Sequence, residues 1–235
     1  MLPTVAILAG GLATRLRPVS ETIPKSLLSI SGRPFILHQL ALLKRRGISR
    51  VVVCVGHLGD QIESLVRDGM EHGLSVSYSH DGPELLGTGG ALRKAADLLD
   101  REFFVLYGDS YLECDYAAAI SSFRSSNKLG LMTVYRNEDD LDRSNVEMRD
   151  GRIVAYNKRA PTPEMRHIDY GLGILSQGAL KRLPLGGRFD LADLYGALVL
   201  EGQMAALEMA ERFFDIGSFE GIRALERHLL VEDKA

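Results

Sequence analysis

Short apolar, β-branched runs alternate along the first half of this chain with stretches whose apolar residues recur at helical spacing. This spacing predicts strands over residues 4–10, 50–56, 74–80 and 102–108 and helices over 35–46, 60–68 and 91–99. Strands that are apolar throughout and joined by helices are what a parallel sheet covered on both faces requires. The pattern therefore predicts an α/β fold with a Rossmann-like, doubly wound and mostly parallel sheet.

The second half of the chain is less regular but still alternates between strands and helices. We expect strands over residues 129–135, 168–175, 204–209 and 212–217, and helices over 189–202 and 219–230. Asp150-Gly151 stands between two short alternating runs, as the turn of a β-hairpin should. No repeat, low-complexity tract or linker interrupts the chain, so we predict one domain, 1–235, with a small β-hairpin insertion in its second half.

Composition limits the classes of partner. The 235 residues are 46% hydrophobic, enough for one full core, and the formal net charge is −3. No long run of one sign occurs, so a nucleic-acid or membrane partner has no electrostatic support. Two cysteines, no apolar stretch long enough to span a bilayer and no leader-like N-terminus predict a protein of the reducing cytoplasm, with no role for the thiols.

The polar segment 8–27, LAGGLATRLRPVSETIPKSL, follows the first predicted strand directly. It lacks the G-x-G-x-x-G of dinucleotide folds, and Arg15 stands where a Walker loop needs its second glycine. The physics of phosphate binding still applies, because glycines let backbone N–H groups approach an anion and fixed cations neutralise its charge. The segment predicts a phosphate site with Arg15 and Lys25 as its cations.

With Pro24-Lys25 after LAGGLATRLRP, the segment resembles the signature of the sugar-1-phosphate nucleotidylyltransferases, also called nucleotide-sugar pyrophosphorylases. The family has glycine where this chain has Ala13. In the family this loop ends the first strand and wraps the triphosphate of a nucleotide. The similarity extends from Val5 to about Leu229, and the short chain resembles the compact branch that includes heptose 1-phosphate guanylyltransferases and N-acetylmuramate 1-phosphate uridylyltransferases.

The resemblance implies a nucleotide-binding part over about residues 1–115. A glycine-rich turn after the third strand would hold the base, and an aspartate ending a following strand would bind Mg²⁺ together with a second aspartate near the C-terminus. The matching nucleotide-binding residues are Leu8, Ala9, Gly10, Gly11, Ala13, Thr14, Gly87, Thr88, Gly89, Gly90 and Asp109. The matching metal residues are Asp109 and Asp215.

The resemblance also implies a sugar-phosphate-binding part over about residues 116–235. Its family motifs V-E, E-K-P and N-A-G stand here as Val146-Glu147, Asn157-Lys158-Arg159 and Asp169-Tyr170-Gly171. The predicted contacts of the sugar phosphate are Glu147, Lys158, Tyr170 and Gly171. Asn157 and Asp169 depart from the family pattern, which leaves open whether they contact the sugar and which sugar it is.

The implied reaction transfers a nucleoside monophosphate from a nucleoside triphosphate to a sugar 1-phosphate, giving an NDP-sugar and pyrophosphate, with Mg²⁺ as cofactor. Arg15 would grip the β- and γ-phosphates, and Lys25 the α-phosphate or the incoming sugar phosphate. Heptose, mannose and N-acetylmuramate 1-phosphates are candidate acceptors. Many members of the family assemble, which makes a homo-oligomer a candidate, but the sequence leaves the oligomeric state open. Two alternatives stay open: an inactive regulatory relative that binds nucleotide sugars, and a cytidylyltransferase for a non-sugar phosphate such as phosphocholine.

Overall fold

A computed structural model of the protein describes residues 1–11, 21–137 and 143–232. Within these ranges one sheet has nine strands, and two further ladders have two strands each. The sheet strands are β1 (Val5–Leu8), β4 (Arg50–Val55), β5 (Ser75–His80), β6 (Glu102–Tyr107), β8 (Gly130–Arg136), β9 (Val146–Arg149), β10 (Arg152–Tyr156), β11 (His167–Ser176) and β12 (Met204–Met209). The short ladders join β2 (Ser29–Ile30) to β3 (Arg33–Pro34) and β7 (Ser110–Tyr111) to β13 (Phe214–Asp215).

The order of strands confirms a mostly parallel sheet. Strand β1 lies between β4 and β6, β5 flanks β4, and all four run parallel. Strand β11 then pairs antiparallel with β6 and with β8, while β12 runs parallel to β8. Because β6 and β11 are hydrogen-bonded neighbours, the sheet is continuous between the two halves of the chain.

Helices cover both faces of this sheet. They are α1 (Phe35–Arg45), α2 (Gly59–Val66), α3 (Gly87–Lys94), α4 (Tyr116–Ser126), α5 (Gln177–Leu180), α6 (Leu191–Leu200) and α7 (Phe219–Glu232). Alternate residues of the central strands enter opposite cores: in β1, Val5 and Ile7 pack with α1, α2 and α4, whereas Ala6 and Leu8 pack with α3, α5 and α6. This two-sided burial explains why β1 is apolar at every position.

The predicted hairpin is present in the second half. Strands β9 and β10 pair antiparallel across a turn in which Asp150 has φ 49° and Gly151 has φ 71°. Two successive left-handed residues are what a tight type I′ hairpin turn needs. The hairpin joins the large sheet through the pairing of Val146 with His167 of β11.

Some elements differ from the sequence prediction. The helix expected over 91–99 begins earlier, at Gly87, and gives way to a 3₁₀ turn over Ala95–Leu98. Helix α4 was not predicted, because its sequence YAAAISSFRSS carries a weak apolar stripe; its start is fixed by Asp115, whose side chain accepts two backbone N–H bonds. The short β2, β3, β7 and α5 were not predicted either.

The C-terminal helix forms a third, smaller core. Leu225 and Leu229 of α7 pack with Ile30 of β2, Phe35 and Leu42 of α1. This packing holds the segment before α7 in place. That segment contains β13, which pairs with β7 just after the carboxyl end of β6. None of the helices in the described ranges combines the length and hydropathy that crossing a membrane requires.

Candidate active site

Backbones pack closely where β1 and β6 end. A Cβ on Gly108 would lie 2.7 Å from the carbonyl oxygen of Leu8, and the Gly108 N–H donates to that oxygen at 3.0 Å. Only glycine fits such an approach. Asp109 follows Gly108 directly. The predicted phosphate loop therefore begins beside this aspartate, at the carboxyl ends of β1 and β6. Its described residues there are Leu8, Ala9, Gly10 and Gly11.

Residues 12–20 of that segment lie outside the described residues. This part includes three residues with predicted roles, Ala13, Thr14 and Arg15. Their contacts with a nucleotide stay predictions, as does the catalytic role of Arg15.

The glycine-rich turn that opens α3 packs against the segment before α6. A Cβ on Gly87, whose φ is +71°, would lie 2.5 Å from the carbonyl oxygen of Phe189, and the Gly89 N–H donates to the same oxygen at 2.9 Å. The Thr88 hydroxyl lies 3.1 Å from Oδ1 of Asp190. Intramolecular packing therefore gives these glycines a role of their own, and base binding stays a prediction for Gly87, Thr88, Gly89 and Gly90.

Two aspartates far apart in the sequence meet through the β7–β13 ladder. The ladder places Asp215 opposite Ser110, and the Ile216 N–H donates to the carbonyl oxygen of Asp109 at 2.9 Å. A carboxylate oxygen of Asp215 accepts the N–H of Gly217. Both aspartates line one cleft. Paired carboxylates in a cleft are the donor set that Mg²⁺ prefers, so these residues fit the predicted metal pair.

Lys25 lies beside this pair. It opens a 3₁₀ turn, Lys25–Leu27, directly after Pro24, and its Nζ lies 2.6 Å from Oδ2 of Asp109. Its side chain is only 18% exposed. A Cβ on Gly217 would lie 2.9 Å from the same Nζ, so the ammonium sits between Asp109 and the turn that follows Asp215.

Lys158 occupies a second position in the cleft, against two aromatic rings and one carboxylate, with 36% of its side chain exposed. Its Nζ lies 3.0 Å from Oδ2 of Asp169, 3.1 Å from the Tyr107 hydroxyl, and 4.7 Å and 5.9 Å from the ring centres of Tyr107 and Tyr156. Burial by itself lowers the pKa of Lys158, but the Asp169 carboxylate and the tyrosines outweigh it, and this pKa stands well above its ordinary value.

The remaining predicted contacts of the sugar phosphate divide into two groups. Tyr170 and Gly171 of β11 lie beside the cleft, but the Tyr170 side chain is fully buried in the core. Glu147 is not among the described residues that line it, and its carboxylate lies 2.6 Å from Arg149. The Asn157 side chain accepts the N–H of Arg159 at 2.9 Å, which makes it a turn-forming residue of its own loop.

The cleft that joins these groups has a volume of about 1300 Å³. Tyr135, Tyr170 and Phe213 form an aromatic wall on one side, with ring centres 5.6 to 6.5 Å apart. Four arginines also line it: Arg136, Arg143, Arg212 and Arg227. No spacing in the sequence singled these out, because β8, the segments before β9 and β13, and α7 contribute them to one cleft only after folding.

Both cysteines are free and buried, as expected of thiols without a role. Burial raises the pKa of Cys54 and of Cys114 to about 12. Neither can supply a nucleophilic thiolate near neutrality.

A family comparison agrees with this geometry. Residues 4–151 match the family model described as nucleotidyl transferase. The chain belongs to the nucleotidyl transferase family. That match spans β1 to β9 and includes the loop after β1, the α3 turn and Asp109.

Three similar proteins show how far the family likeness extends. Mannose-1-phosphate guanyltransferase beta-B of Xenopus laevis is 30% identical over 217 residues, which cover 90% of this chain and 60% of that protein. UTP–glucose-1-phosphate uridylyltransferase of Synechocystis is 31% identical over 229 residues, covering 90% and 59%. This nucleotidyl transferase chain thus spans about three fifths of the length of these relatives. The crystal structure of HddC from Yersinia pseudotuberculosis complexed with GMP-PN superposes with a TM-score of 0.80 at 27% identity, covering 97% of this chain and 100% of that one.

Proposed function

We propose that this chain transfers a nucleoside monophosphate from a nucleoside triphosphate to a sugar 1-phosphate, giving an NDP-sugar and pyrophosphate. The observation that carries the proposal is the meeting of Asp109 and Asp215 beside the Lys25 ammonium, at the sheet edge where the loop after β1 begins. Membership of the nucleotidyl transferase family and the names of the relatives support the same reaction.

On the nucleotide side, the task of the chain is to hold and neutralise a polyanion. Asp109 and Asp215 would hold Mg²⁺, and the bound ion would offset negative charge on phosphate oxygens. Lys25 would leave its ion pair with Asp109 for an oxygen of the α-phosphate, a short movement for a side chain that already lies in the cleft. Arg15, predicted from the sequence, would bind the leaving pyrophosphate.

On the acceptor side, Lys158 would hold the sugar phosphate in line with the α-phosphorus. One phosphate oxygen of the acceptor forms the new bond to that phosphorus, and the bond to the pyrophosphate oxygen breaks. A phosphate monoester is largely ionised near neutrality, so the step needs no general base. Alignment of two bound reactants contributes roughly 7–11 kcal/mol to lowering such a barrier.

The names of the relatives favour a sugar 1-phosphate acceptor over phosphocholine. The retained lysine and two aspartates also support turnover over a purely regulatory role, since a binding protein does not need metal ligands. A cytoplasmic location and a homo-oligomeric state stay predictions from the sequence.

A pyrophosphate-release screen tests the proposal. Each of five nucleoside triphosphates is combined with mannose, glucose, heptose and N-acetylmuramate 1-phosphates and with phosphocholine, with and without Mg²⁺. We expect release with at least one sugar 1-phosphate and only with Mg²⁺. If the chain binds nucleotide but no combination of substrates releases pyrophosphate, the regulatory alternative is supported. If only phosphocholine gives pyrophosphate, the cytidylyltransferase alternative is supported.

A further inference from the structure

Asp169 stands where the family resemblance expects an asparagine that touches the sugar, and its carboxylate is already fully engaged. Its side chain is 4% exposed. Oδ1 accepts the N–H of Gly171 at 3.1 Å, and Oδ2 lies 3.0 Å from Nζ of Lys158 and 3.3 Å from the Tyr156 hydroxyl. Little of this carboxylate is left to meet a sugar hydroxyl.

The backbone of Asp169 is fixed as well. Its N–H donates to Oδ1 of Asn145 at 3.0 Å, and the pairing of β11 with β8 shifts register between Asp169 and Gly173. Gly171, inside this irregularity, has φ +99°. The bulge turns the residue before it toward the cleft, so that a strand residue supplies a buried carboxylate to Lys158.

We propose that Asp169 is a positioning residue for acceptor binding, which holds the Lys158 ammonium in place and charged without itself contacting the acceptor. The inference rests on the proposed function, because it names how the acceptor side of that same site is kept in order. On this inference, an aspartate replaces the family asparagine at position 169 because it pairs with Lys158, and not because the sugar is a different one.

The surroundings of Lys158 show why such a partner is needed. Tyr107 of β6, Tyr156 of β10 and Tyr195 of α6 face it, and Asp169 of β11 is the carboxylate among these charged and titratable groups. Burial raises the pKa of Tyr107 to about 12, so this hydroxyl stays neutral near pH 7. Without Asp169, partial burial would act on a lysine that keeps only the tyrosines as partners, and its pKa would fall from its raised value.

The first experiment measures the KM of the acceptor as a function of pH in the wild type and in Asp169→Asn. We expect Asp169→Asn to raise acceptor KM by about tenfold at pH 7.5 with an unchanged KM for the nucleotide, as for loss of a charged hydrogen bond. The acceptor KM of this variant should rise further between about pH 8 and pH 10, where the wild type stays level, because the unpaired lysine loses its proton. Asp169→Glu should restore part of the binding.

The matched control is Glu102→Gln, which removes a carboxylate from another ion pair, 2.7 Å from Arg124 at the amino end of β6. It should leave both KM values unchanged. Equal effects of the two substitutions, or a pH profile of Asp169→Asn that matches the wild type, would overturn the inference.

A double variant distinguishes positioning from direct contact and avoids burying an unpaired charge. If Asp169 acts through Lys158, the acceptor KM of Lys158→Met/Asp169→Asn should equal that of Lys158→Met, within about twofold. A further rise of about tenfold in the double variant would mean that Asp169 contacts the acceptor itself, and the inference would fall.

A readout independent of turnover separates this inference from the proposed function. The rate at which acetic anhydride modifies Lys158, followed by mass spectrometry across pH, reports the titration of its amine. We expect the titration to move to lower pH in Asp169→Asn. If the titration shifts but the wild type does not turn over any sugar phosphate, the proposed function is wrong and the effect of Asp169 on Lys158 stands. If the wild type turns over but the titration does not shift, the proposed function stands and this inference is wrong.

Discussion

The Nζ atom of Lys25 lies 2.6 Å from Oδ2 of Asp109, although 84 positions separate the two residues along the chain. The contact joins the segment after β1 to the end of β6, which are neighbours in the sheet because β1 and β6 pair in parallel. With Asp215 across the β7–β13 ladder, it places one cation and two carboxylates at the point where a nucleotide phosphate would lie.

Loss of either aspartate should remove activity and leave the fold. For Asp109→Asn and Asp215→Asn we expect turnover to fall on the order of 10² to 10³ at fixed Mg²⁺, because each variant removes the charge of a proposed metal ligand. Pyrophosphate release, titrated with Mg²⁺, is the measurement. The control is Asp97→Asn, an exposed aspartate in the 3₁₀ turn after α3, and unchanged turnover in both cleft variants would contradict the metal assignment.

Lys25→Met should slow the reaction and leave stability nearly unchanged. We expect turnover to fall on the order of 10² to 10³, since the variant removes a cation that would stabilise developing phosphate charge. Steady-state kinetics measure the effect, and Lys44→Met is the control. The Lys44 ammonium donates to the carbonyl oxygen of Gly73 at an exposed position, away from the cleft. A rate for Lys25→Met within threefold of the control would remove Lys25 from the catalytic set.

The glycines of the α3 turn should matter for stability even without nucleotide. Gly87 and Gly186 have similar φ values, +71° and +78°. A Cβ at Gly87 would meet the carbonyl oxygen of Phe189, whereas no atom of the described residues lies within 4 Å of a Cβ at Gly186. We expect Gly186→Ala to cost about 1 kcal/mol for its backbone angle. Gly87→Ala should cost about 1–3 kcal/mol more through the clash. Urea unfolding measures both, and equal costs would show that the close packing is absent.

Asp100 should make part of the stability depend on acid pH. Burial alone raises its pKa, but bonds from Thr4 and the Arg50 guanidinium outweigh burial, so the pKa is lowered. Its contribution is therefore present above the unfolded pKa of about 3.9 and is lost as pH falls through the lower folded pKa. Asp100→Asn should reduce the free energy of unfolding by about 1 kcal/mol at pH 7 and by much less at pH 2.5.

Denaturant unfolding at the two pH values tests this expectation. Asp97→Asn again serves as the exposed control and should show no difference between them. A deficit for Asp100→Asn that is as large at pH 2.5 as at pH 7 would mean that the substitution acts through packing and not through charge.

The regular part of the fold was readable from the sequence. The strands over residues 50–56 and 102–108 were predicted almost to the residue, because burial on both faces demands an unbroken apolar run. The Asp150-Gly151 turn was readable because its backbone angles favour those residue types. Helix α4 was missed because its alanines and serines give little amphipathic contrast.

The site was readable only as a set of motifs. The motifs of the resembled family predicted Lys25, Asp109 and Asp215 as site residues, and all three line the cleft. Glu147 matched the motif equally well, yet its carboxylate pairs with Arg149 and is not among the described cleft residues. A motif predicts which residue follows which strand, but it does not predict which groups the side chain of that residue contacts.

The sequence by itself determined the parallel α/β core and the glycine-rich segment that follows β1, since these depend on local periodicity and residue chemistry. The metal pair, Asp109 and Asp215, was predicted from the family resemblance. Only the tertiary structure decided that two-residue strands bring Asp215 to Asp109, and that a bulge in β11 sets Asp169 against Lys158. The first contact joins segments distant along the chain, and the second depends on the register shift in β11. Their geometry follows from how strands and helices pack together, which no local pattern of residues encodes.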